Sequence, residues 1–360
     1  MITIGVDFSK KRSDYHVLNE QGQKLQRRKL DNDPKVFRKF LREIPGPKQL
    51  AMEACRNWGL YYEHVWDLVD EFHLGHPKKM KIITESETKN DQKDAEMIAK
   101  LEHSGFLPKA HISSLDTRQL RSLLRFRHYL VNQRRSIRNQ VAILIDRNVW
   151  PCDQPRSFKQ PFCKKGFRWL KSLKLSDRER FILDQCLENF HELTRKIEDL
   201  ETFIAKQTVN MPGLGYLRTT PGFQKSKVNA YIVLLEADGI TRFHKARRFA
   251  HYAGLIPKEF SSGDKHRTGK LVKGANMHLR TAIIESTLAA IRTDPGLKAY
   301  YQQVKGRQGS GPAIVATARK LSYAIFYVLK EQRAYRPESF NPPAAVCHPS
   351  AAREKTTFAG

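Results

Sequence analysis

Long apolar runs, paired cysteines and acidic residues are all scarce in this sequence. Apolar runs such as Ala324 to Leu329 fall far short of the roughly 20 residues that cross a bilayer. The N-terminus, MITIGVDFS, begins directly with a strand-like pattern and has no signal-peptide regions. The five cysteines are scattered without a CxxC pair, which argues against a disulfide framework and a structural zinc site. We therefore expect a cytoplasmic protein with reduced thiols and no membrane partner.

Basic residues, by contrast, are abundant. The 360 residues contain 64 Lys and Arg against 37 Asp and Glu, a formal net charge of +27. A net charge of about 2–8 keeps a small domain soluble, so the excess indicates a polyanionic partner. Nucleic acid is the first candidate and a membrane surface the second. The length predicts two or three domains, and 40% hydrophobic residues suffice for their cores.

The first hundred residues alternate strand and helix patterns. Three strands in a meander, then alternating helices and strands, predict an α/β layer fold with a mixed sheet. The predicted strands are Ile2 to Val6, Tyr15 to Leu18, Lys24 to Leu30, Gln49 to Glu53 and Phe72 to Gly75, and the predicted helices are Pro34 to Arg42, Trp58 to Glu71 and Asp91 to His103.

The remainder of the chain is mainly helical in pattern. Two long segments with apolar residues at helical spacing, Leu115 to Arg147 and Ser176 to Thr208, predict a coiled coil or an antiparallel hairpin. Shorter helices are predicted at Val228 to Ala237, Met277 to Arg292 and Ala313 to Gln332. The tail after Pro337 is predicted to be disordered.

Four carboxylates occupy places where they can converge. Asp7 and Glu53 end the first and fourth predicted strands, and Asp91 and Asp94 lie three residues apart at a helix start. Converging carboxylates repel unless a cation neutralises them, and hard oxygen ligands suit Mg²⁺. Such a site performs phosphoryl transfer on nucleic acids. Taken singly, each acid is more often a surface residue, and we interpret Asp14, Glu63, Asp67 and Glu85 as structural.

A segment rich in serine, glycine and basic residues extends from Gly254 to Arg280. A serine hydroxyl becomes an effective nucleophile where nearby cations stabilise its alkoxide. The segment offers Arg267, Lys273 and Arg280 as such cations. The residues alone leave Ser261 and Ser262 open as the nucleophile, and the commoner alternative is that Ser-Gly forms a solvated turn.

Two further features predict contact with nucleic-acid backbones. One is the arginine-rich first long helix, in which we select Arg121, Arg125, Arg134, Arg135 and Arg138. The alternative is a solvated coiled-coil face. The other is Gly222, in a glycine turn before a helical run, which can present backbone N–H groups to a phosphate.

Short motifs along most of the chain resemble one known family. They are Gly5-Val6-Asp7, Met52-Glu53-Ala54, Asn90-Asp91-Gln92-Lys93-Asp94-Ala95, Pro221-Gly222, Arg242-Phe243, Ala253-Gly254-Leu255-Ile256-Pro257, Ser262-Gly263, Arg267-Thr268-Gly269, Lys273, Asn276, Leu279-Arg280 and Ala316 with Arg319-Lys320. Together they resemble the DEDD-type insertion-sequence transposases, the bridge-RNA-guided serine recombinases. The chain departs from the family pattern at Cys55-Arg56, at Gln224 and at Gly274-Ala275-Asn276.

The resemblance implies a fold and a site. The expected domains are a RuvC-like, RNase H-fold metal domain over 1–110, a coiled-coil region over 111–208, a mostly helical transposase domain over 209–336 and the tail 337–360. Asp7, Glu53, Asp91 and Asp94 are expected to hold Mg²⁺. In the family the catalytic serine directly precedes a glycine, which selects Ser262. Gly222, Arg267, Lys273 and Arg280 are expected to contact nucleic acid.

The resemblance also implies partners and a reaction. We expect a prokaryotic, nucleoid-associated recombinase that cuts and rejoins DNA through a 5′-phosphoserine. A structured guide RNA is expected to pair with donor and target DNA, while the protein, a homotetramer, recognises shape and backbone. The alternative is a Mg²⁺-dependent junction nuclease without a covalent intermediate. A non-enzymatic nucleic-acid scaffold is a third possibility, but it leaves the four acids unexplained.

Overall fold

The computed structural model describes residues 1–83, 91–154, 162–225, 227–262, 265–272 and 274–337. The chain divides into two compact units, Met1–Asp116 and Thr117–Gly360.

The first unit contains a six-stranded mixed sheet. Its strands are β1 (Ile2–Phe8), β2 (Arg12–Leu18), β3 (Lys24–Asp31), β4 (Lys48–Glu53), β5 (Glu71–Gly75) and β6 (Lys109–Ala110), in the order β3-β2-β1-β4-β5-β6. β1, β4 and β5 are parallel, and the other neighbours pair antiparallel. The predicted mixed sheet is therefore confirmed.

Helices cover both faces of this sheet. They are α1 (Pro34–Glu43), α2 (Trp58–Val65), α3 (Pro77–Ile83) and α4 (Asp91–His103). On one face Ile4, Val6 and Met52 pack with residues of α1 and α2. On the other face Ala51 packs with Ile98 of α4. Because successive side chains of a strand alternate between faces, odd-numbered residues of β1 and β4 lie on the α4 face.

Gly5 determines how closely α4 approaches the sheet. A Cβ added there would lie 2.3 Å from the Ala95 carbonyl oxygen and 2.5 Å from the Ala99 nitrogen. The imidazole of His103 lies against Gly22 in the β2–β3 turn, which is next to the Thr3 end of β1. The helix consequently runs antiparallel to β1, with its first residues toward Asp7.

Gly5→Ala is expected to destabilise the first unit. The new methyl group would meet helix backbone, which cannot rotate away, so we expect the free energy of unfolding to fall by at least about 1–3 kcal/mol. Denaturant titration measures the change. Gly215→Ala, where a Cβ meets nothing within 4 Å, is the control and should change stability by less than about 1 kcal/mol. Equal stability of the two variants would contradict this packing.

Two predicted elements of the first unit differ from the structure. The helix expected over Trp58 to Glu71 ends at Val65, a short 3₁₀ turn follows, and Glu71 already pairs with Gln49 in the sheet. Pairing with β4 therefore takes precedence over the local helical pattern. The polar stretch after Pro77 forms the short α3, which the sequence analysis missed.

The second unit is mainly helical. It begins with α5 (Leu115–Asn148), which starts at the unit boundary, α6 (Lys164–Ser172) and α7 (Asp177–Gln207). The C-terminal half of α5 packs on the N-terminal half of α7, with Ile145 against Leu183. Its N-terminal half packs on the C-terminal half of α7, with Leu124 against Ile204. The two long helices therefore pack antiparallel.

The rest of this unit surrounds a separate core. Its elements are α8 (Leu214–Thr219), α9 (Lys227–Ala237), α10 (Ala246–Tyr252), β7 (Pro257–Ser262), β8 (Lys265–Leu271), α11 (Met277–Thr293), α12 (Pro295–Gln308) and α13 (Ser310–Lys330). Phe223, Phe249 and Phe326 are fully buried in this core. The tail predicted to be disordered lies outside the described residues from 338 onward. None of the described helices combines the length and the apolarity that a membrane span requires.

Candidate functional site

Two of the four predicted acids occupy neighbouring strand ends. Val6 of β1 pairs in parallel with Met52 of β4, and Asp7 and Glu53 are the next residues of the two strands. Both lie on the face of the sheet that α4 covers, because they alternate with Val6 and Met52. Asp7 is half-buried and Glu53 is exposed. The sheet therefore brings these two carboxylates to one edge and one face.

The other two acids lie at the start of α4. Asp91 is its first residue and Asp94 is exposed. Because α4 runs antiparallel to β1, its N-terminal turn lies toward the end of β1 that carries Asp7. The side chain of Asp91 lies outside the described atoms. Glu96 forms an ion pair with Lys100 at 2.6 Å and so belongs to a different face of the helix.

A buried acid adjoins this edge. Asp14 of β2 pairs with Asp7 across the strands and is 3% exposed. Its carboxylate contacts Arg27 at 2.7 Å and Lys29 at 3.5 Å. These cations on β3 compensate the buried charge, in agreement with a structural role for Asp14. Asp67 likewise binds Arg38 through two hydrogen bonds of 2.8 Å, whereas Glu85 lies outside the described residues.

The donor set at this edge is chemically suited to a hard divalent cation. Its members supply carboxylate oxygens only, which are the ligands of Mg²⁺. Among the side chains that the structure describes, no three His, Cys, Asp or Glu side chains are close enough together to hold a metal ion. That set does not include Asp91, so the four-acid site stays a prediction.

The serine segment contains a β-hairpin. Ser262 is the last residue of β7 and pairs with Lys265, and Ser261 pairs with His266. The sequence analysis did not predict these strands, because the segment is poor in β-branched and aromatic residues. Gly263 and Lys273 lie outside the described residues, and so do the side chains of Ser261, Ser262 and Arg267.

Two hydrogen bonds from Arg280 join the two ends of this hairpin; we call them the Arg280 clamp. Arg280 of α11 donates from Nε to the Ala253 carbonyl oxygen at 3.2 Å and from Nη2 to that of Val272 at 2.9 Å. It thereby joins the chain before β7 to the chain after β8. Gly254, at φ +69°, fits beneath it, and a Cβ there would lie 2.0 Å from Arg280 Nη2. Burial lowers the pKa of Arg280 below its ordinary value. Its predicted contact with nucleic acid stays a prediction.

Several of the selected arginines of α5 already have protein partners. Arg121 and Arg125 contact Glu236 of α9. Arg134 donates to Thr194 Oγ1 at 3.3 Å, and Arg138 lies over the ring of Phe162 at 5.1 Å. Arg135 is exposed and lines a polar cavity of about 380 Å³ between α5, α9 and α11. Most of the selected arginines of α5 therefore make intramolecular contacts.

Arg135→Gln is expected to reduce the salt dependence of nucleic-acid binding. If its guanidinium neutralises one phosphate, the slope of log K against log salt concentration should become shallower by about 0.7–0.9. Binding titrations at several salt concentrations measure this slope. Arg121→Gln is the matched control on the same helix, and its slope should equal that of the wild type, since Arg121 is mostly buried against acids. An unchanged slope for Arg135→Gln would show that Arg135 does not neutralise a phosphate.

Glu236 is the functional candidate that the sequence analysis missed. It is 2% exposed and lies beside the cavity with His278, a residue whose pKa is lowered mainly by burial. No motif marks it in the sequence, where it is the one acid of the otherwise mostly apolar α9. A buried acid inside a predicted apolar helix is itself the available signal, because such a charge requires partners.

Gly222 has a packing role independent of any phosphate. It has φ +86°, and a Cβ there would lie 2.0 Å from the Ser286 carbonyl oxygen. Both the backbone conformation and the contact with α11 exclude larger residues. Its predicted role in binding nucleic acid stays a prediction.

Comparison with known proteins identifies the family. A transposase family model, that of the DEDD-type IS110 transposases, matches residues 4–148. A second model, described as the transposase IS116/IS110/IS902 family, matches residues 215–302. The chain belongs to the IS110 family of insertion-sequence transposases. The family predicted from the motifs is thereby confirmed. The first match contains Asp7, Glu53, Asp91 and Asp94 of this transposase, and the second contains Ser262.

Relatives of this transposase match over most of its length. A probable family 20 transposase of Pseudomonas aeruginosa is 24% identical over 93% of this chain and 98% of that protein. The transposase for insertion sequence element IS1111A of Coxiella burnetii is 26% identical over 80% of this chain and 79% of that protein. The transposase for insertion sequence element IS1328 of Yersinia enterocolitica is 23% identical over 78% of this chain and 81% of that protein.

Proposed function

We propose that this transposase is a site-specific DNA recombinase that cuts and rejoins DNA through a 5′-phosphoserine at Ser262. The observation that carries the proposal is that the candidate metal-binding acids and the candidate nucleophile lie in two different regions of the chain, each matched by a transposase family model. In the first region Asp7 and Glu53 lie at neighbouring strand ends, and in the second Ser262 is the last residue of β7. A nuclease that activates water needs the acids alone, so we infer that the serine of the second region supplies the nucleophile.

The proposed step exchanges one phosphoester bond for another. Ser262 Oγ attacks the phosphorus, an Oγ–P bond forms, and the bond from phosphorus to the 3′ oxygen breaks. The 3′ oxygen leaves with the proton that the serine hydroxyl gives up. Attack by the 3′ hydroxyl of an exchanged strand reverses these changes and releases the serine. No external energy source is required, since one phosphoester replaces another.

The acids are proposed to serve the same reaction. Asp7, Glu53, Asp91 and Asp94 would hold Mg²⁺, which stabilises negative charge on phosphate oxygens as a Lewis acid. The strand order and the βββαβαβ succession of the first unit support an RNase H-like fold for this part of the chain. In that fold the acids orient the scissile phosphate for attack.

A structured guide RNA and a homotetramer complete the proposal. The net charge of +27 supports binding to nucleic-acid backbones, because every neutralised phosphate releases counterions. Base pairing would then select donor and target sites, and the protein would contact backbones.

Covalent trapping tests the proposal. End-labelled donor DNA is incubated with protein, guide RNA and Mg²⁺, denatured in detergent and separated by electrophoresis. We expect a labelled protein–DNA adduct that protease removes. Cleaved DNA without an adduct would establish the junction nuclease instead, and bound but uncut DNA would establish the scaffold.

A further inference from the structure

Glu236 is a buried charge at the meeting point of three elements. It lies near the end of α9 and is 2% exposed. An isolated carboxylate in such a place is costly unless donors and cations compensate it. Arg125 of α5 donates from Nη2, which lies 3.2 Å and 3.4 Å from the two carboxylate oxygens. Arg121 adds an ion pair, with Nε 3.7 Å from Oε2, and that Nε donates its hydrogen bond to the Leu235 carbonyl oxygen at 2.9 Å.

Another hydrogen-bond donor to Glu236 comes from the chain that follows the hairpin. Asn276 donates from Nδ2 to Glu236 Oε2 at 2.8 Å. Asn276 also caps α11, because its Oδ1 accepts from the Leu279 N–H at 3.0 Å. One side chain therefore determines both where α11 begins and how its first turn is held to α9.

Asn276 is connected to the entry of the hairpin as well. Its backbone N–H donates to the Tyr252 carbonyl oxygen at 3.0 Å, and its Nδ2 is 3.2 Å from Tyr252 Oη. Tyr252 ends α10, shortly before β7. With the Arg280 clamp, these contacts make the hairpin base one assembly, and Glu236 attaches that assembly to α5 and α9.

We propose that Glu236 is a positioning residue for Ser262. Glu236 anchors the base of the β7–β8 hairpin to the arginine-rich helix α5. The inference rests on the proposed function of Ser262. A carboxylate suits this position because its oxygens accept from Arg125 and Asn276, while its charge forms an ion pair with Arg121. A glutamine would accept on one oxygen only and would turn its own N–H groups toward arginine and asparagine donors.

Glu236→Gln tests the inference. We expect the rate constant of adduct formation at saturating DNA to fall about 10–100-fold, the effect of misplacing a reacting group by about 1 Å. DNA affinity should remain within about threefold of the wild type, since no phosphate contact is removed. A loss confined to affinity would overturn the proposal.

Asp238→Asn is the matched control. Asp238 lies two residues further along, contacts Arg121 at 3.4 Å and has φ +48°, a conformation that asparagine tolerates. Its removal takes away an acid beside the same arginine and leaves the contact with Asn276. We expect its adduct rate constant to stay within about threefold of the wild type. Equal losses in both variants would overturn the inference.

Two further variants separate positioning from stability. Asn276→Ser keeps an effective cap on α11 but removes the amide that contacts Glu236, so it should reproduce the loss even if Glu236→Gln does not fold. The double variant Glu236→Gln with Asn276→Asp reverses the direction of the hydrogen bond, and it should recover most of the rate. Normal activity of Asn276→Ser would overturn the proposal.

Hydrogen exchange gives an answer that does not depend on catalysis. Release of the hairpin base should accelerate amide exchange over residues 257–279 in Glu236→Gln but not in Asp238→Asn. If the wild type forms no adduct, the proposed function of Ser262 fails, and this measurement still decides whether Glu236 anchors the hairpin. Unchanged exchange in Glu236→Gln would refute the anchoring.

Discussion

Ser262→Ala is expected to abolish the covalent protein–DNA adduct and strand exchange. Removal of a covalent nucleophile leaves no group that can form the phosphoester, so we expect a loss of at least about three orders of magnitude in the rate of adduct formation. Binding of DNA and RNA should change by less than about tenfold, because one hydroxyl contributes only about 0.5–1.5 kcal/mol through a hydrogen bond. Adduct trapping and binding titrations on the same preparation measure both quantities.

Ser261→Ala is the matched control for this experiment. The two serines are consecutive residues of β7, and Ser261 pairs with His266 while Ser262 pairs with Lys265. Ser262 directly precedes Gly263, as the catalytic serine does in the family pattern, whereas Ser261 does not. We expect Ser261→Ala to retain most of its activity. Loss of the adduct in Ser261→Ala alone would assign the nucleophile to Ser261 instead.

Replacing Asp7 or Glu53 by the corresponding amide is the second substitution with a large expected effect. Each change removes a charged oxygen ligand from the sheet edge, and we expect strand exchange to fall at least about 100-fold, since even residues behind metal ligands contribute 10–100-fold. DNA affinity should be unchanged or higher, because removal of a negative charge lowers repulsion of phosphate. Rates and affinities are measured in parallel, with and without EDTA.

Glu96→Gln provides the control for the acids. Glu96 lies on α4 two residues after Asp94, but it forms an ion pair with Lys100, so its loss should leave activity nearly unchanged. Full activity of the wild type in excess EDTA would refute the metal assignment. Equal losses in Glu96→Gln and Asp7→Asn would indicate that negative charge in general, rather than a defined set of ligands, supports the reaction.

The sequence alone was sufficient to predict five of the six strands of the first unit, although not the two-residue β6. Strand and turn patterns are local properties of the chain. Asp7 and Glu53 then follow from their place at the ends of β1 and β4. That both lie on the α4 face follows from the parallel register, in which Val6 pairs with Met52.

Only the tertiary structure could determine what the basic and polar residues of the second unit do. The pattern of α5 shows a stripe of arginines, but it does not show that Arg125 pairs with Glu236, 111 residues away in the chain. Likewise, the composition of the serine segment does not show that its backbone pairs with Lys265 and His266 to form a hairpin. Hydrophobic periodicity depends on residues that are close in the sequence, so it can be identified from the sequence directly. The partner of a buried charge or of a β-strand depends on packing between segments that are far apart in the chain, so only the folded structure identifies it.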